Sequence, residues 1–321
     1  MVHQLVRSST ALLLLILLLG GCGQSAAPIG QGDASGAQGG AVTPVFAFSE
    51  AVVGRNRIAI GLLRGGTPVN DPGAQVHLRF FDLDTNSTQP AVETDATYYG
   101  QGLPAGFYIA YPTLDKPGNW GVEVETRLSG QAEPSRSRLR LEVKDRSVAP
   151  NVGEPAIPAK TLTVADVPDL AQLSSGPNPD PALYQISLDA ALTSGKPTAL
   201  LFATPAFCRT AMCGPSLEVV QGLQKQYGDR VNFIHVEVYK YPFADSFQIT
   251  ERAAQQNRAM TAEEQRQAFA DAFVAWHLPS EPWLFLIDSK GTIVARYEGG
   301  ITKEELGPAL ERLIAGQSVL P

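Results

Sequence analysis

The chain has 321 residues, which at roughly 150 residues per domain points to two domains. It is 44% apolar and 18% charged with 30 Gly and 24 Pro, enough apolar material for packed cores, so a chain disordered throughout is excluded. Its 32 acids against 25 bases give a net charge of −7 with no basic block, which excludes a phosphate-gripping face and makes nucleic acid an unexpected partner.

Arg7 precedes a run that is nearly all leucine, Ala11 to Leu19, too short to span a bilayer but the right length for the core of an export signal. The run ends in Leu19-Gly20-Gly21-Cys22, which resembles the lipobox of bacterial lipoproteins. That resemblance implies a signal peptide over 1–21, cleavage before a diacylated Cys22, and an extracytoplasmic protein anchored in a bacterial membrane by several acyl chains. Cys22 is then spent on lipid, and two cysteines, Cys208 and Cys213, remain free. Residues 22–42, rich in Gly, Gln, Ala and Ser in no periodic order, read as a flexible tether.

Over 43–147 the pattern has period two. The runs Val45–Phe48, Arg57–Leu63, Val76–Phe81, Ala91–Tyr98, Phe107–Tyr111, Trp120–Arg127 and Arg136–Val143 predict seven short strands and hence an all-β sandwich. In Val122-Glu123-Val124-Glu125 the apolar and charged side chains fall on opposite faces, as a half-buried antiparallel strand requires. Asp71-Pro72-Gly73 and Lys116-Pro117-Gly118-Asn119 have the composition of turns. Gly106-Phe107-Tyr108-Ile109-Ala110-Tyr111 followed by Pro117-Gly118-Asn119-Trp120 resembles the strand, turn and strand of small extracytoplasmic immunoglobulin-like domains. His77 alternates with Val76 and Leu78 and is expected on a solvated strand face, and Asn86-Ser87-Thr88 is read as a turn.

A linker is expected over 148–180, because Pro150, Pro155, Pro158, Pro168, Pro177 and Pro179 remove backbone donors too often for a helix or sheet. From 181 to 318 strands and helices alternate. Ser187 is a candidate cap for a short helix ending before Gly195, and Thr198–Ala203 reads as a strand buried on both faces. Pro215 suits the first position of a helix that carries Val219, Leu223 and Tyr227 on one side and stops at Gly228. Val231–Val238 is a second strand. Thr261-Ala262-Glu263-Glu264 is a capping box for a helix with Phe269, Phe273 and Trp276 inward. Trp283–Ile287 and Thr292–Tyr297 form a hairpin, and Thr302 caps a last helix ending near Gly316.

Three stretches of this C-terminal region resemble the thioredoxin superfamily: Phe202-Ala203-Thr204-Pro205-Ala206-Phe207-Cys208, Cys213-Gly214-Pro215, and Glu281-Pro282-Trp283 continuing to Gly291. The resemblance implies a thioredoxin-like α/β fold, thiol-disulfide exchange with exported protein thiols or disulfides, no dissociable cofactor, and a cis-proline at Pro282 facing the cysteines. Two departures stand out. The family usually places two residues between its cysteines and this chain has four, with Ser216 where the second cysteine would stand if Cys213 matched the first. The strand before the cysteines also lacks the buried acid that thioredoxins use as a proton relay.

Positions five apart on a regular helix point about 140° apart, so a bonded pair requires Cys208 in the loop and Cys213 at the helix start, where the macrodipole stabilises a thiolate. Distance from the strand makes Cys208 the expected nucleophile and Cys213 the resolving thiol, while the Cys-Gly-Pro match argues for the reverse. Two other readings stay open: a permanent structural staple, and a Cu(I) site of two thiolates with His277. His235 alternates on a strand and is expected to be structural.

Overall fold

The computed structural model describes residues 41–320. The expected export signal, Cys22 and all but the last two residues of the expected tether lie outside the described residues. Eleven strands build the N-terminal domain: β1 (Thr43–Phe46), β2 (Ala51–Val52), β3 (Gly54–Arg55), β4 (Ile58–Arg64), β5 (Thr67–Pro68), β6 (Gln75–Asp82), β7 (Val92–Tyr99), β8 (Phe107–Ala110), β9 (Thr113–Leu114), β10 (Gly118–Arg127) and β11 (Ser135–Lys144). The seven expected from period-two patterning are all present, with ends within two residues.

Eight strands hydrogen-bond along one path, β1-β4-β8-β7-β6-β10-β11-β2, and β5 joins at β4, so these nine form one curled sheet, while β3 and β9 pair separately. β7 turns the corner: Val92 to Ala96 pairs with β6, and Thr97 to Tyr99 pairs with β8. The two halves then face each other as in a sandwich, closing over Ile58, Ile60, Leu78, Phe80, Trp120 and Val122. Glu123 and Glu125, on the opposite face of β10, pair across strands with Arg79, Arg136 and Arg138. His77 belongs to this charged face, between Glu93 at 3.1 Å and Asp95 at 2.7 Å. Asn86 makes its turn by accepting hydrogen bonds from the backbone N–H groups of Thr88 and Gln89.

The C-terminal domain contains α1 (Leu188–Ala191), β12 (Thr198–Ala203), α2 (Cys213–Tyr227), β13 (Asn232–Glu237), α3 (Phe243–Gln255), α4 (Ala262–Ala268), α5 (Asp271–Ala275), β14 (Trp283–Ile287), β15 (Ile293–Glu298) and α6 (Lys303–Ile314). Its sheet runs β13-β12-β14-β15, with β12 parallel to β13 and the remaining pairs antiparallel. Ala199, Leu201 and Ala203 of β12 meet α2 and α6 on one face. Leu200 and Phe202 meet Leu188, Phe273 and Trp276 on the other, so β12 is buried on both faces, as its apolar run requires.

Several local expectations need correction. Pro215 is the third residue of α2, because the helix begins at Cys213. Ser187 precedes α1 without a side-chain cap; Leu188 N–H is instead accepted by Thr161 Oγ1 at 3.0 Å. The capping box at Thr261 forms, but the helix it opens ends at Ala268, and a separate helix carries Phe273. The break has a cause: Phe269 takes an extended conformation to bridge Tyr239, with Ala270 N–H donating to Val238 at 2.8 Å. Sheet-edge pairing wins over one more helical turn. α3 has no counterpart in the sequence reading.

The proline-rich stretch is packed. Ile293 N–H donates to Glu154 at 2.9 Å and Ala156 N–H to Gly291 at 2.8 Å, so the stretch lies along the outer edge of β15. Among the described residues no helix is long and apolar enough to cross a membrane.

The sandwich meets the α/β domain through a buried ion pair. The Arg57 guanidinium donates to both carboxylate oxygens of Glu305 at 2.7 and 2.8 Å, and to the carbonyls of Glu298 at 2.7 Å and Gly300 at 3.0 Å. Tyr111 donates a further hydrogen bond to Glu305. Both charged side chains are at most 5% exposed. Deleting one partner strands the other charge, so Arg57→Leu is expected to cost about 3–5 kcal/mol of unfolding free energy, and Arg57→Leu with Glu305→Leu much less than twice that. Urea denaturation checks this; an Arg57→Leu loss below about 1 kcal/mol would contradict the burial argument.

Candidate functional site

Cys208 and Cys213 are joined as a disulfide, with Cα atoms 6.0 Å apart. Cys208 is in the loop after β12 and is partly exposed, whereas Cys213 is the first residue of α2 and fully buried. The backbone N–H of Cys213 points at Cys208 Sγ at 3.3 Å, and Thr210 Oγ1 lies 3.3 Å from the same sulfur. The start of α2 therefore favours negative charge on Cys208, not on Cys213 as the sequence suggested.

The Glu281-Pro282 peptide is cis, and Pro282 is buried just before β14, its carbonyl accepting Gly299 N–H at 3.0 Å. Glu281 Oε2 lies 3.5 Å from Cys213 Sγ. A second acid, Glu237 at the end of β13, is buried; its Oε2 accepts Ser175 N–H at 2.7 Å, while Oε1 has no hydrogen-bond partner among the described residues. Burial raises the Glu237 carboxyl to about 7 against the lowering effect of the Ser175 and Thr204 hydrogen bonds. Burial, and then repulsion from Glu237, raises Glu281 to about 8. Glu237 also lines a cavity of about 420 Å³ beside Tyr184, Tyr239 and Lys240.

The other residues singled out in the sequence stand apart from this chemistry. His235 is buried, donating through Nε2 to the Ala203 carbonyl at 3.0 Å and accepting the Tyr184 hydroxyl at Nδ1, 2.6 Å away; burial lowers its pKa to about 4. Ser216 is buried, its hydroxyl accepting Ile301 N–H at 3.3 Å. His277 is exposed just past α5, at φ +52°, and among the described residues no three His, Cys, Asp or Glu side chains are grouped to hold a metal ion.

Residues 184–314 match the family described as a thioredoxin-like domain. They form a thioredoxin-like domain. No curated protein sequence matches the chain. Among solved structures, it is similar to a putative thiol:disulfide interchange protein DsbE from Chlorobium tepidum, at 19% identity over 53% of this chain and 99% of that one, TM-score 0.33. It is also similar to a thio-disulfide isomerase from Thermus thermophilus, at 18% identity over 52% and 99% of the two chains, TM-score 0.31. StoA from Bacillus subtilis gives 20% identity over 47% and 96%, with TM-score 0.28.

The thioredoxin-like domain thus has buried acid after all, supplied from the end of β13 and the loop before Pro282 and not from β12. The sequence held a signal for each. Glu237 is the one acid in the strand run Phe233–Val238, and Glu281 directly precedes the expected cis-proline.

The raised acids bear on stability. Between about pH 4.5, their ordinary value, and about 7 to 8, the folded chain binds more protons at Glu237 and Glu281 than the unfolded chain. Their contribution to stability therefore falls as pH rises through that window. Glu281→Gln should gain stability relative to the wild type between pH 6 and 9; the comparison cancels the titrations of His77 and His235. Thermal unfolding of both oxidised proteins across that range checks this, and parallel profiles would contradict it.

Proposed function

We propose that this is a lipid-anchored extracytoplasmic protein that exchanges disulfides with exported protein thiols through Cys208 and Cys213. The observation that carries the reading is the asymmetry of the pair: a reachable sulfur at a helix N-terminus, bonded to a buried one with a carboxyl group 3.5 Å away. A permanent staple needs neither the reachable sulfur nor the acid.

In the reducing direction, the Cys208 thiolate, its charge facing the Cys213 N–H, attacks one sulfur of a partner disulfide. The partner S–S bond breaks, and one partner sulfur leaves as a thiolate. Cys213 then passes its proton to the Glu281 carboxylate and attacks Cys208 Sγ, expelling the second partner thiolate and forming the Cys208–Cys213 bond. Two electrons have moved to the partner. In reverse, a partner thiolate attacks the accessible Cys208 sulfur and protonated Glu281 delivers its proton to the leaving Cys213. A carboxyl group with a pKa near that of a thiol suits both directions.

Cys213→Ser should accumulate a mixed disulfide through Cys208, and Cys208→Ser little or none. Non-reducing electrophoresis of intact cells with mass spectrometry of adducts reads this. Adducts confined to Cys208→Ser would reverse the roles, and none in either variant would leave the staple reading.

Support for the anchor is Leu19-Gly20-Gly21-Cys22 after its apolar run. Metabolic acyl labelling with membrane fractionation should find the wild-type chain labelled and membrane-bound, and Cys22→Ser unlabelled. A soluble, unlabelled wild-type protein would end the proposal of an anchor.

A further inference from the structure

The loop that carries the disulfide touches the sandwich. Met212, between Ala211 and Cys213, is only 7% exposed and packs with Ala59, Phe107 and Ile109 of β4 and β8. Gly300, in the connection between β15 and α6, completes the contact: a Cβ there would lie 2.6 Å from Phe107 Cε2, 2.8 Å from Leu103 Cδ1 and 3.2 Å from Met212 Sδ. Ala211 holds φ +58°, a left-handed conformation that a non-glycine residue adopts only when its surroundings impose it. The disulfide joins Cys208 to Cys213, and the sandwich grips Met212, the residue just before the second cysteine.

We propose that the N-terminal sandwich is part of the redox site, and that its pocket for Met212 is a positioning element that holds Cys208 and Cys213 at bonding distance. The proposal rests on the exchange reading and deepens it. Reduction removes the covalent closure and lets Ala211 relax, which the seated Met212 opposes. Seating therefore favours the disulfide, and by reciprocity the disulfide favours seating. Without that grip the two thiols meet less often and the bond is easier to reduce.

The experiment is redox equilibration of the full chain with dithiothreitol and, separately, with glutathione, scoring oxidised and reduced protein after acid quench and alkylation. In each titration the Cys208–Cys213 bond breaks, one reagent S–S bond forms, and two electrons and two protons pass from reagent thiols to protein. Met212→Ala should lower the equilibrium constant for disulfide formation roughly tenfold, equivalent to a potential about 30 mV less reducing. Gly300→Ala, which wedges the sandwich from the loop, should shift it the same way, and Met212→Leu, which refills the pocket, should return it to within about twofold of the wild type.

Glu50→Gln is the control. It weakens the same interface away from the loop, where Glu50 accepts from Arg296 at 3.1 Å, and should leave the constant unchanged while lowering the unfolding midpoint. An unchanged constant in Met212→Ala, or an equal shift in Glu50→Gln, would overturn the proposal. A wild-type bond reduced by excess dithiothreitol but by no glutathione mixture would overturn the exchange reading instead, while the ratio of Met212→Ala to wild type in dithiothreitol still tests the grip.

Discussion

Five residues from the last of β15 to the cap of α6, Glu298 to Thr302, tie the whole arrangement together. Gly299 N–H donates to the carbonyl of Pro282, Ile301 N–H to the hydroxyl of Ser216 on the cysteine helix, and Thr302 caps α6 by accepting Glu305 N–H. The carbonyls of Glu298 and Gly300 take two donors of Arg57 from the sandwich. One short stretch of backbone thus fixes the cis-proline loop, the start of α2, the last helix and the neighbouring domain relative to one another. Close approach is what makes this possible: at Gly300 there is no room for even a methyl group between Phe107 and Met212. Glu305 shows the same economy, since it leaves the capping role to Thr302 and turns its carboxylate to the buried guanidinium.

Glu281 beside Cys213 and the buried Glu237 oppose this stabilisation. A buried carboxyl group with one unpartnered oxygen costs free energy that an apolar residue of the same size would not, and Glu237 sits within hydrogen-bonding reach of only a few donors. Burial raises both carboxyl groups, and repulsion from Glu237 adds to the rise at Glu281. The result is a proton held close to a buried sulfur at neutral pH. Structural cost and chemical usefulness come from the same desolvation, a pairing frequently found at sites of proton transfer.

What could be read from the sequence was what depends on neighbours along the chain. Period-two runs gave the seven main strands, the all-apolar run at Thr198–Ala203 gave a strand buried on both sides, and the Thr261 and Thr302 caps gave two helix starts. α3 was invisible because its N-cap is Pro242, which offers no capping side chain to mark the start. The break at Phe269 was invisible because its cause is a strand 30 residues away in sequence, at Tyr239. The cysteines and Pro282 stood out by motif. Glu281 and Glu237 did not, since an acid's importance here comes from what the fold brings beside it: one contributes from a loop and the other from a strand end 44 residues earlier.

The four-residue spacing of the cysteines finds a physical reason in the same contacts. A two-residue spacing keeps both cysteines within the first turn of a helix and leaves no chain to reach outward. With four residues, Cys208 stays in the loop, Ala211 reverses the chain through a left-handed conformation, and Met212 projects from the N-cap of α2 into the pocket formed by β4 and β8. The longer loop pays an entropic cost that a bare thioredoxin-like domain would leave unopposed. Here the sandwich opposes it, because burying the Met212 side chain holds the loop where it enters α2, next to Cys213. The added residues and the added domain make one structural unit: the loop gives the sandwich something to grip, and the sandwich makes the loop short in effect.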